Sequence, residues 1–202
     1  MNEPTTAKTN TALQTVTWDV PHRGKQIAWE IGVPDRTAAE FRHGNDYWYP
    51  YLFQRFSTEF PNPLVYDVAK KNWSTAINYA QGGYEVDGKP HTWTWELKFN
   101  LDKAPAGDAT LTLAFAGSNG AKLDIAVNAA DPSAAPLTTV DPPNQGGNAL
   151  LREGVHAKYG VSYVTIPAAL LKAGSNTISL TQTQAKSNAS HVMYDYINLE
   201  LP

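Results

Sequence analysis

TWTWELKFNL, residues 92–101, alternates apolar and polar side chains without a break. Successive side chains of an extended chain point to opposite sides, so the apolar ones share one face. Such a two-faced pattern is typical of an antiparallel strand whose inner side covers a core. The residues on the apolar face are Trp93, Trp95, Leu97, Phe99 and Leu101.

The same alternation recurs further along the chain. Residues 111–115 and 123–127 alternate on either side of Gly117-Ser118-Asn119-Gly120. An Asn-Gly turn between two alternating runs predicts a β-hairpin. Three further strands are predicted at 161–166, 176–180 and 192–201.

Helical signals are short. Thr37 and Glu40 have the spacing of a capping box, and Pro167 can open a single helical turn. Strands with Gly- and Pro-rich connections and little helix predict an all-β sandwich or barrel. The Ala-, Pro-, Asn- and Gly-rich stretch 129–149 predicts a long loop. We expect one domain over residues 14–202, after a polar, disordered lead or linker at 1–13.

The composition argues against several function classes. The 202 residues include no Cys, which excludes disulfides, thiolate metal sites and a Cys nucleophile. A net charge of −3 without any Lys/Arg run argues against a nucleic-acid partner. No apolar stretch approaches the roughly 18–20 residues that span a membrane, so no membrane partner is expected. The common hydrolase, P-loop and zinc-peptidase motifs do not occur, and the five His are scattered.

Asp195 occupies an apolar position of the last predicted strand. Regular alternation places it with Ile197 and Leu199, and places Tyr194 and Tyr196 on the opposite face. An unpaired buried carboxylate is costly. We therefore expect a cation, an Arg or several backbone N–H groups beside it.

A calcium ion is one explanation, because this hard cation prefers several carboxylate and carbonyl oxygens. An ion pair with Arg36 or Arg42 is the alternative. Such a calcium ion would brace the fold rather than touch a ligand. The candidate metal ligands are Glu30, Asp35 and Asp195, with Glu40 as a further acid.

Two polar and aromatic segments are candidates for binding carbohydrate. Residues 43–53 read HGNDYWYPYLF, and flat rings beside hydrogen-bonding groups suit the CH faces and hydroxyls of sugars. The alternative is that these rings pack beneath a loop. In the segment 148–160, Arg152 can hold a uronate carboxylate bidentately, or instead pair with Glu153 or Asp141. The candidate carbohydrate-binding residues are Tyr47, Trp48, Tyr49, Asn119, Asn148, Arg152, His156 and Tyr159.

The stretch WEIGVPDRTAAEFRHG at 29–44 resembles the opening of the C-terminal domain of family 4 polysaccharide lyases, the rhamnogalacturonan lyases. Stretches at 123–128, 173–178 and 194–200 resemble that domain in the same order. The resemblance implies a jelly-roll β-sandwich similar to carbohydrate-binding modules. In the family this module is attached to a catalytic β-sandwich and a fibronectin-III-like domain. The family's lyase centre, a Lys and a His, belongs to the catalytic domain, and nothing here matches it.

Three functions follow as hypotheses. The first is non-catalytic binding of a pectic, rhamnogalacturonan-type polysaccharide by a secreted, monomeric protein. The second is a structural module that braces the other domains of a lyase. The third is a lyase that uses a local His or Tyr as base and an Arg to neutralise the uronate.

Overall fold

The computed structural model describes residues 20–46, 52–132, 136–143, 145–146, 158–184 and 190–202. This part of the chain forms an all-β sandwich with two short helices, as the alternating patterns predict. Neither helix has the length and apolar character that crossing a membrane requires. The predicted lead at 1–13 lies outside the described residues.

The first sheet has four main strands, all antiparallel, and one short addition. In spatial order they are β1 (Gln26–Gly32), β12 (His191–Leu201), β7 (Ala109–Asn119) and β10 (Gly160–Ile166), and β3 (Ala80–Gln81) also pairs with β12.

The second sheet has five strands. In spatial order they are β2 (Leu64–Asp67), β6 (Trp93–Leu101), β11 (Gly174–Gln182), β8 (Leu123–Val127) and β9 (Thr138–Val140). Only β2 runs parallel to its neighbour, β6.

Smaller elements complete the described chain. A two-stranded hairpin pairs β4 (Tyr84–Val86) with β5 (Lys89–His91). The helices are α1 (Leu52–Glu59) and α2 (Trp73–Ala76). Single 3₁₀ turns lie at Val68–Lys70 and at Ala168–Leu170, and the second confirms the turn predicted after Pro167.

The core lies between the two sheets and is rich in aromatic rings. Trp93 and Trp95 of β6 are both 0% exposed, as their alternation predicts. Tyr194 of β12 joins the sheets, since its ring centroid lies 5.2 Å from that of Trp95 and 5.8 Å from that of Phe115. Paired rings at such separations contribute about 0.5–1.5 kcal/mol each beyond the area they bury.

Three local predictions were wrong. Residues 111–127 do not form a hairpin, because β7 belongs to the first sheet and β8 to the second, so the Asn119-Gly120 turn carries the chain across the sandwich. No helix follows Thr37, because the Glu40 carboxylate accepts from the backbone N–H of Val33 rather than capping a helix. The stretch 129–149 is not loop throughout, since it contains β9.

A bulge in β12 changes the predicted faces of this strand. Tyr194 pairs with Phe115 and Tyr196 with the next residue of β7, Ala114, so Asp195 is an extra residue opposite the pair. The bulge turns Tyr194 into the core, where regular alternation predicts an outward side chain. It also leaves the Asp195 side chain against the loop that follows β1.

Candidate functional site

The Asp195 carboxylate is enclosed by the loop that follows β1. Its Oδ1 accepts from the backbone N–H groups of Asp35 and Arg36, at 3.0 and 2.9 Å. Its Oδ2 is buried and has no hydrogen-bond partner among the described residues. The side chain is held in this position with one oxygen satisfied and the other available.

Close approach of the backbone builds this enclosure. Gly32 ends β1 with φ +87°, and a Cβ placed there would lie 2.1 Å from the carbonyl oxygen of Asp195. Only glycine fits such a contact at positive φ without displacing the backbone. Arg36 also has a positive φ, +71°, which turns the loop back over β12.

Two further carboxylates point to the same place. Glu40 Oε1 accepts from the backbone N–H of Val33 at 3.0 Å, while its Oε2 is buried without a hydrogen-bond partner in the described structure. Asp35 Oδ1 accepts from the backbone N–H and the hydroxyl of Thr37, each at 2.9 Å. One oxygen from each of Asp35, Glu40 and Asp195 lies within 4.8 Å of the other two.

The electrostatics of this carboxylate cluster, Asp35, Glu40 and Asp195, are unfavourable without a cation. Burial raises the pKa of Glu40 to about 7 and that of Asp195 to about 6, and the charge on Asp35 adds to both shifts. Calcium binds oxygens at about 2.3–2.6 Å, so ligand oxygens around one ion lie up to about 5 Å apart. The donor set and its spacing therefore fit calcium.

The predicted ligand Glu30 lies elsewhere. Its side chain projects outward from β1, and its Oε2 accepts from the Tyr196 hydroxyl at 2.7 Å. The structure thus brings Asp35 and Asp195 together and adds Glu40 in place of Glu30. The sequence analysis includes Glu40 as a further acid, although its capping-box spacing pointed to a helix instead.

The two arginines proposed as alternative partners are placed differently from that expectation. Arg36 meets Asp195 through its backbone N–H, and its guanidinium carbon lies 5.2 Å from the centroid of the Tyr159 ring. Arg42 Nη2 pairs with Glu59 at 3.2 Å.

Of the eight predicted carbohydrate-binding residues, the structure describes two, Tyr159 and Asn119. Tyr159 is half-buried near the Asp195 carboxylate, and burial, followed by the charge of Asp195, raises the pKa of its hydroxyl. Tyr159 is thus a neighbour of the carboxylate cluster. Asn119 ends β7 opposite His191 of β12. The other predicted residues lie outside the described part of the chain: Tyr47, Trp48, Tyr49, Asn148, Arg152 and His156.

Aromatic rings on the described surface are scarce. The large apolar side chains that are exposed there are Ile27, Val65, Val86 and Leu170, none of them aromatic. The rings that remain partly accessible belong to Trp73, Tyr159 and Tyr163. Flat stacking platforms for sugars are therefore not a feature of the described surface.

Relatives of this chain are much longer than the chain itself. It is 28% identical to a probable rhamnogalacturonate lyase B of Neosartorya fischeri, over 91% of this chain and 34% of the relative. It is 29% identical to a probable rhamnogalacturonate lyase B of Aspergillus niger, over 81% of this chain and 28% of the relative. It is 28% identical to a rhamnogalacturonate lyase of Dickeya dadantii, over 86% of this chain and 27% of the relative. The chain therefore spans about a third or less of these relatives.

One solved structure, a family GH115 4-O-methyl-alpha-glucuronidase, aligns with 92% of this chain and 19% of its own, at a TM-score of 0.41 and 11% identity. That likeness is too low to support an argument. The match to a family of domains is stronger, because it covers residues 27–199, from β1 to β12, and is described as "CBM-like: Polysaccharide lyase family 4, domain III". The matched range includes Asp35, Glu40 and Asp195. This chain belongs to that family of carbohydrate-binding-module-like domains from polysaccharide lyase family 4.

Proposed function

We propose that the chain is a non-catalytic module that binds a pectic polysaccharide of the rhamnogalacturonan type. The observation that carries this proposal is the family match over 27–199, together with relatives named rhamnogalacturonate lyases of which the chain spans about a third. In this proposal the module is monomeric, has a jelly-roll topology, and works outside the cell beside the catalytic and fibronectin-III-like domains of a longer chain.

Ring stacking and hydrogen bonds would both contribute to this binding. Few rings are accessible on the described surface, so the stacking would come from the rings predicted from the sequence, Tyr47, Trp48 and Tyr49, beside planar polar groups. Arg152, predicted from the sequence to hold a uronate carboxylate, would give preference for the acidic backbone over neutral branches. We expect the affinity to be weak, because polar groups that bind a sugar must first give up their water.

Affinity electrophoresis with rhamnogalacturonan I, homogalacturonan, galactan, arabinan and xylan tests the proposal. We expect retardation by rhamnogalacturonan I and a loss of at least about tenfold in Arg152→Ala, since charge-assisted bonds contribute about 1.5–3 kcal/mol. Lys98→Ala, on the exposed face of β6, is the matched loss of one positive charge and should leave retardation unchanged. Retention by none of these glycans would refute the proposal.

A structural role for the module has one specific observation in its favour. Most aromatic rings of the described residues are buried in the core, which suits a domain selected for packing. If this were the role, the isolated chain would associate in trans with the remaining domains of a homologous lyase, as measured by sedimentation, and would bind none of the glycans.

The lyase hypothesis is tested on the same samples, because eliminative cleavage produces unsaturated ends that absorb in the ultraviolet.

We also propose that Asp35, Glu40 and Asp195 bind a structural calcium ion. Two buried carboxylate oxygens without hydrogen bonds, Glu40 Oε2 and Asp195 Oδ2, support this proposal, because each would otherwise remain unsatisfied. When bound, the ion would supply positive charge at the junction of β12 and the loop after β1. Its remaining ligands would be carbonyl or water oxygens.

Calorimetric titration with calcium separates this site from the alternative that includes Glu30. We expect one site in the wild type, with affinity reduced at least tenfold in Asp195→Asn and in Glu40→Gln. Glu30→Gln changes a carboxylate outside the cluster and should bind as the wild type does. Absence of calcium binding, or an equal loss in Glu30→Gln, would contradict the assignment.

A further inference from the structure

A cleft of about 480 Å³ opens along one edge of the sandwich, between β9 and β10. β9 is the edge strand of the second sheet and pairs with β8. β10 is an edge strand of the first sheet and pairs with β7. Residues 137–141 and 162–165 line the cleft. Among the described strands, the outer edges of the two sheets therefore face a common opening.

The floor of the cleft combines apolar and hydroxyl groups. Val140 and Val164 are 9% and 6% exposed, and they belong to the inner faces of their strands. Thr138 and Ser162 lie two residues earlier, hence on the same inner faces, yet both are partly exposed. Neither hydroxyl makes a side-chain hydrogen bond within the described chain, so both are available to a ligand.

The charge of the cleft selects a neutral ligand. Asp141 is the charged residue among the described ones that line it, and Lys122 Nζ lies 3.5 Å from its carboxylate. No Arg or Lys belongs to the described lining, and Lys122 is already paired with Asp141, so the lining itself offers no free cation to a uronate or phosphate.

The edge of β9 is poorly suited to adding a peptide strand. β9 has three residues, Thr138–Val140, and Pro136 precedes it while Pro142 and Pro143 follow. Short edge strands bounded by proline are a recognised means of preventing strand addition, because proline has no N–H to donate. A ligand that hydrogen-bonds through hydroxyls does not need the long ladder that a peptide needs.

The cleft has an apolar floor, two hydroxyl groups without partners in the described chain, exposed strand edges and a described lining without Arg or Lys. Together these features suit the binding of a sugar. We propose that the cleft between β9 and β10 binds a neutral oligosaccharide chain, with CH groups against Val140 and Val164 and sugar hydroxyls bonded to Thr138, Ser162 and the strand edges. The cleft volume lies within the range of about 300–1,000 Å³ usual for small-molecule sites. This proposal does not depend on the uronate contact proposed for Arg152.

The test uses the isotopically labelled chain and two probes of equal length, a linear β-1,4-galactan oligosaccharide and an oligogalacturonide. We expect the galactan probe to shift the amide resonances of 137–141 and 162–165. We also expect the double variant Thr138→Val and Ser162→Ala to weaken that binding by about fivefold or more, since two hydroxyl contacts are lost. Thr177→Val, an isosteric change on the outer face of β11, is the control and should bind unchanged.

Each alternative result is decisive. Absence of galactan-induced shifts in the wild type, shifts confined to other residues, or a preference of the cleft for the oligogalacturonide would overturn the proposal, and these readouts need no variant to fold. Equal affinity in the double variant would overturn it as well. Loss of rhamnogalacturonan binding in Arg152→Ala with intact galactan binding would leave the cleft assigned. Absence of galactan binding by the wild type, together with rhamnogalacturonan binding that Arg152→Ala abolishes, would leave only the Arg152 proposal.

Discussion

Two carboxylates of β12 are buried in different ways. Glu200, 1% exposed, is satisfied at both oxygens, because Oε2 accepts from the backbone N–H groups of Arg23 and Gly24 while Oε1 contacts His22 Nδ1 at 2.5 Å. Asp195, 0% exposed, has its Oδ2 unsatisfied within the described structure. The first arrangement ties the segment before β1 to the sheet, and the second is suited to a cation.

Glu200→Gln should destabilise the fold by about 1–3 kcal/mol. The amide keeps one acceptor but turns an NH₂ group toward a donor or toward His22, so a buried polar group loses its partner. Urea unfolding followed by tryptophan fluorescence measures the change. Asp102→Asn, on an exposed turn, is the matched control and should remain within about 0.5 kcal/mol of the wild type. Equal stability of the two variants would contradict the role given to Glu200.

Gly32→Ala should be at least about 2 kcal/mol more destabilising than Gly174→Ala. Both glycines have positive φ, +87° and +80°, so both substitutions carry a backbone cost of about 1–2 kcal/mol. Only at Gly32 would the new Cβ also collide with the Asp195 carbonyl, since nothing lies within 4 Å at Gly174. Thermal unfolding of the two variants measures the difference, and similar melting temperatures would show that the close approach is not as tight as described.

At the scale of elements, alternation predicts strands well but not their partners. The strand at 92–101 is observed as β6, because period-two burial is a local property of the sequence. Whether β7 pairs with β8 is not a local property, since the turn at Asn119-Gly120 can close a hairpin but here carries the chain to the other sheet. The bulge at Asp195 could not be predicted for the same reason. A residue of β12 is an extra one only in relation to its pairing with β7, which is distant in the sequence. The carboxylate cluster joins residues 160 positions apart, and no spacing rule reaches that far.

Helix α1 should depend on the buried ring of Phe56. Phe56 is 1% exposed and its ring centroid lies 5.4 Å from that of Trp93. Phe56→Ala should therefore cost about 3–5 kcal/mol and detach the helix from β6. Urea unfolding measures the cost, and near-ultraviolet circular dichroism reports the loss of ring packing around Trp93. Val65→Ala, 47% exposed on the edge strand β2, removes apolar atoms at little cost and is the control. A cost below about 1 kcal/mol for Phe56→Ala would place the helix outside the cooperative core.

At the scale of the whole molecule, the carboxylate cluster connects the two ends of the described chain. Asp35 and Glu40 follow β1, the first strand, and Asp195 lies in β12, the last. β1 and β12 are also neighbours in the first sheet. An ion held by these three residues would have to be released before either end of the chain could separate from the other.

Calcium should therefore raise the stability of the whole domain in one cooperative transition. At a free calcium concentration about 100 times the dissociation constant, binding only to the folded state adds about 2.7 kcal/mol. For a chain of this size each kcal/mol corresponds to about 2–4 °C, so the melting temperature should rise by about 5–10 °C over that in chelator. Scanning calorimetry with calcium, with magnesium and with chelator measures this, and magnesium should have a smaller effect because it demands strict octahedral geometry. Asp195→Asn should melt at the same temperature in all three solutions. A calcium shift that survives in Asp195→Asn would place the ion elsewhere, and no shift in the wild type would mean that the cluster is stabilised by protonation of Glu40 or Asp195 instead.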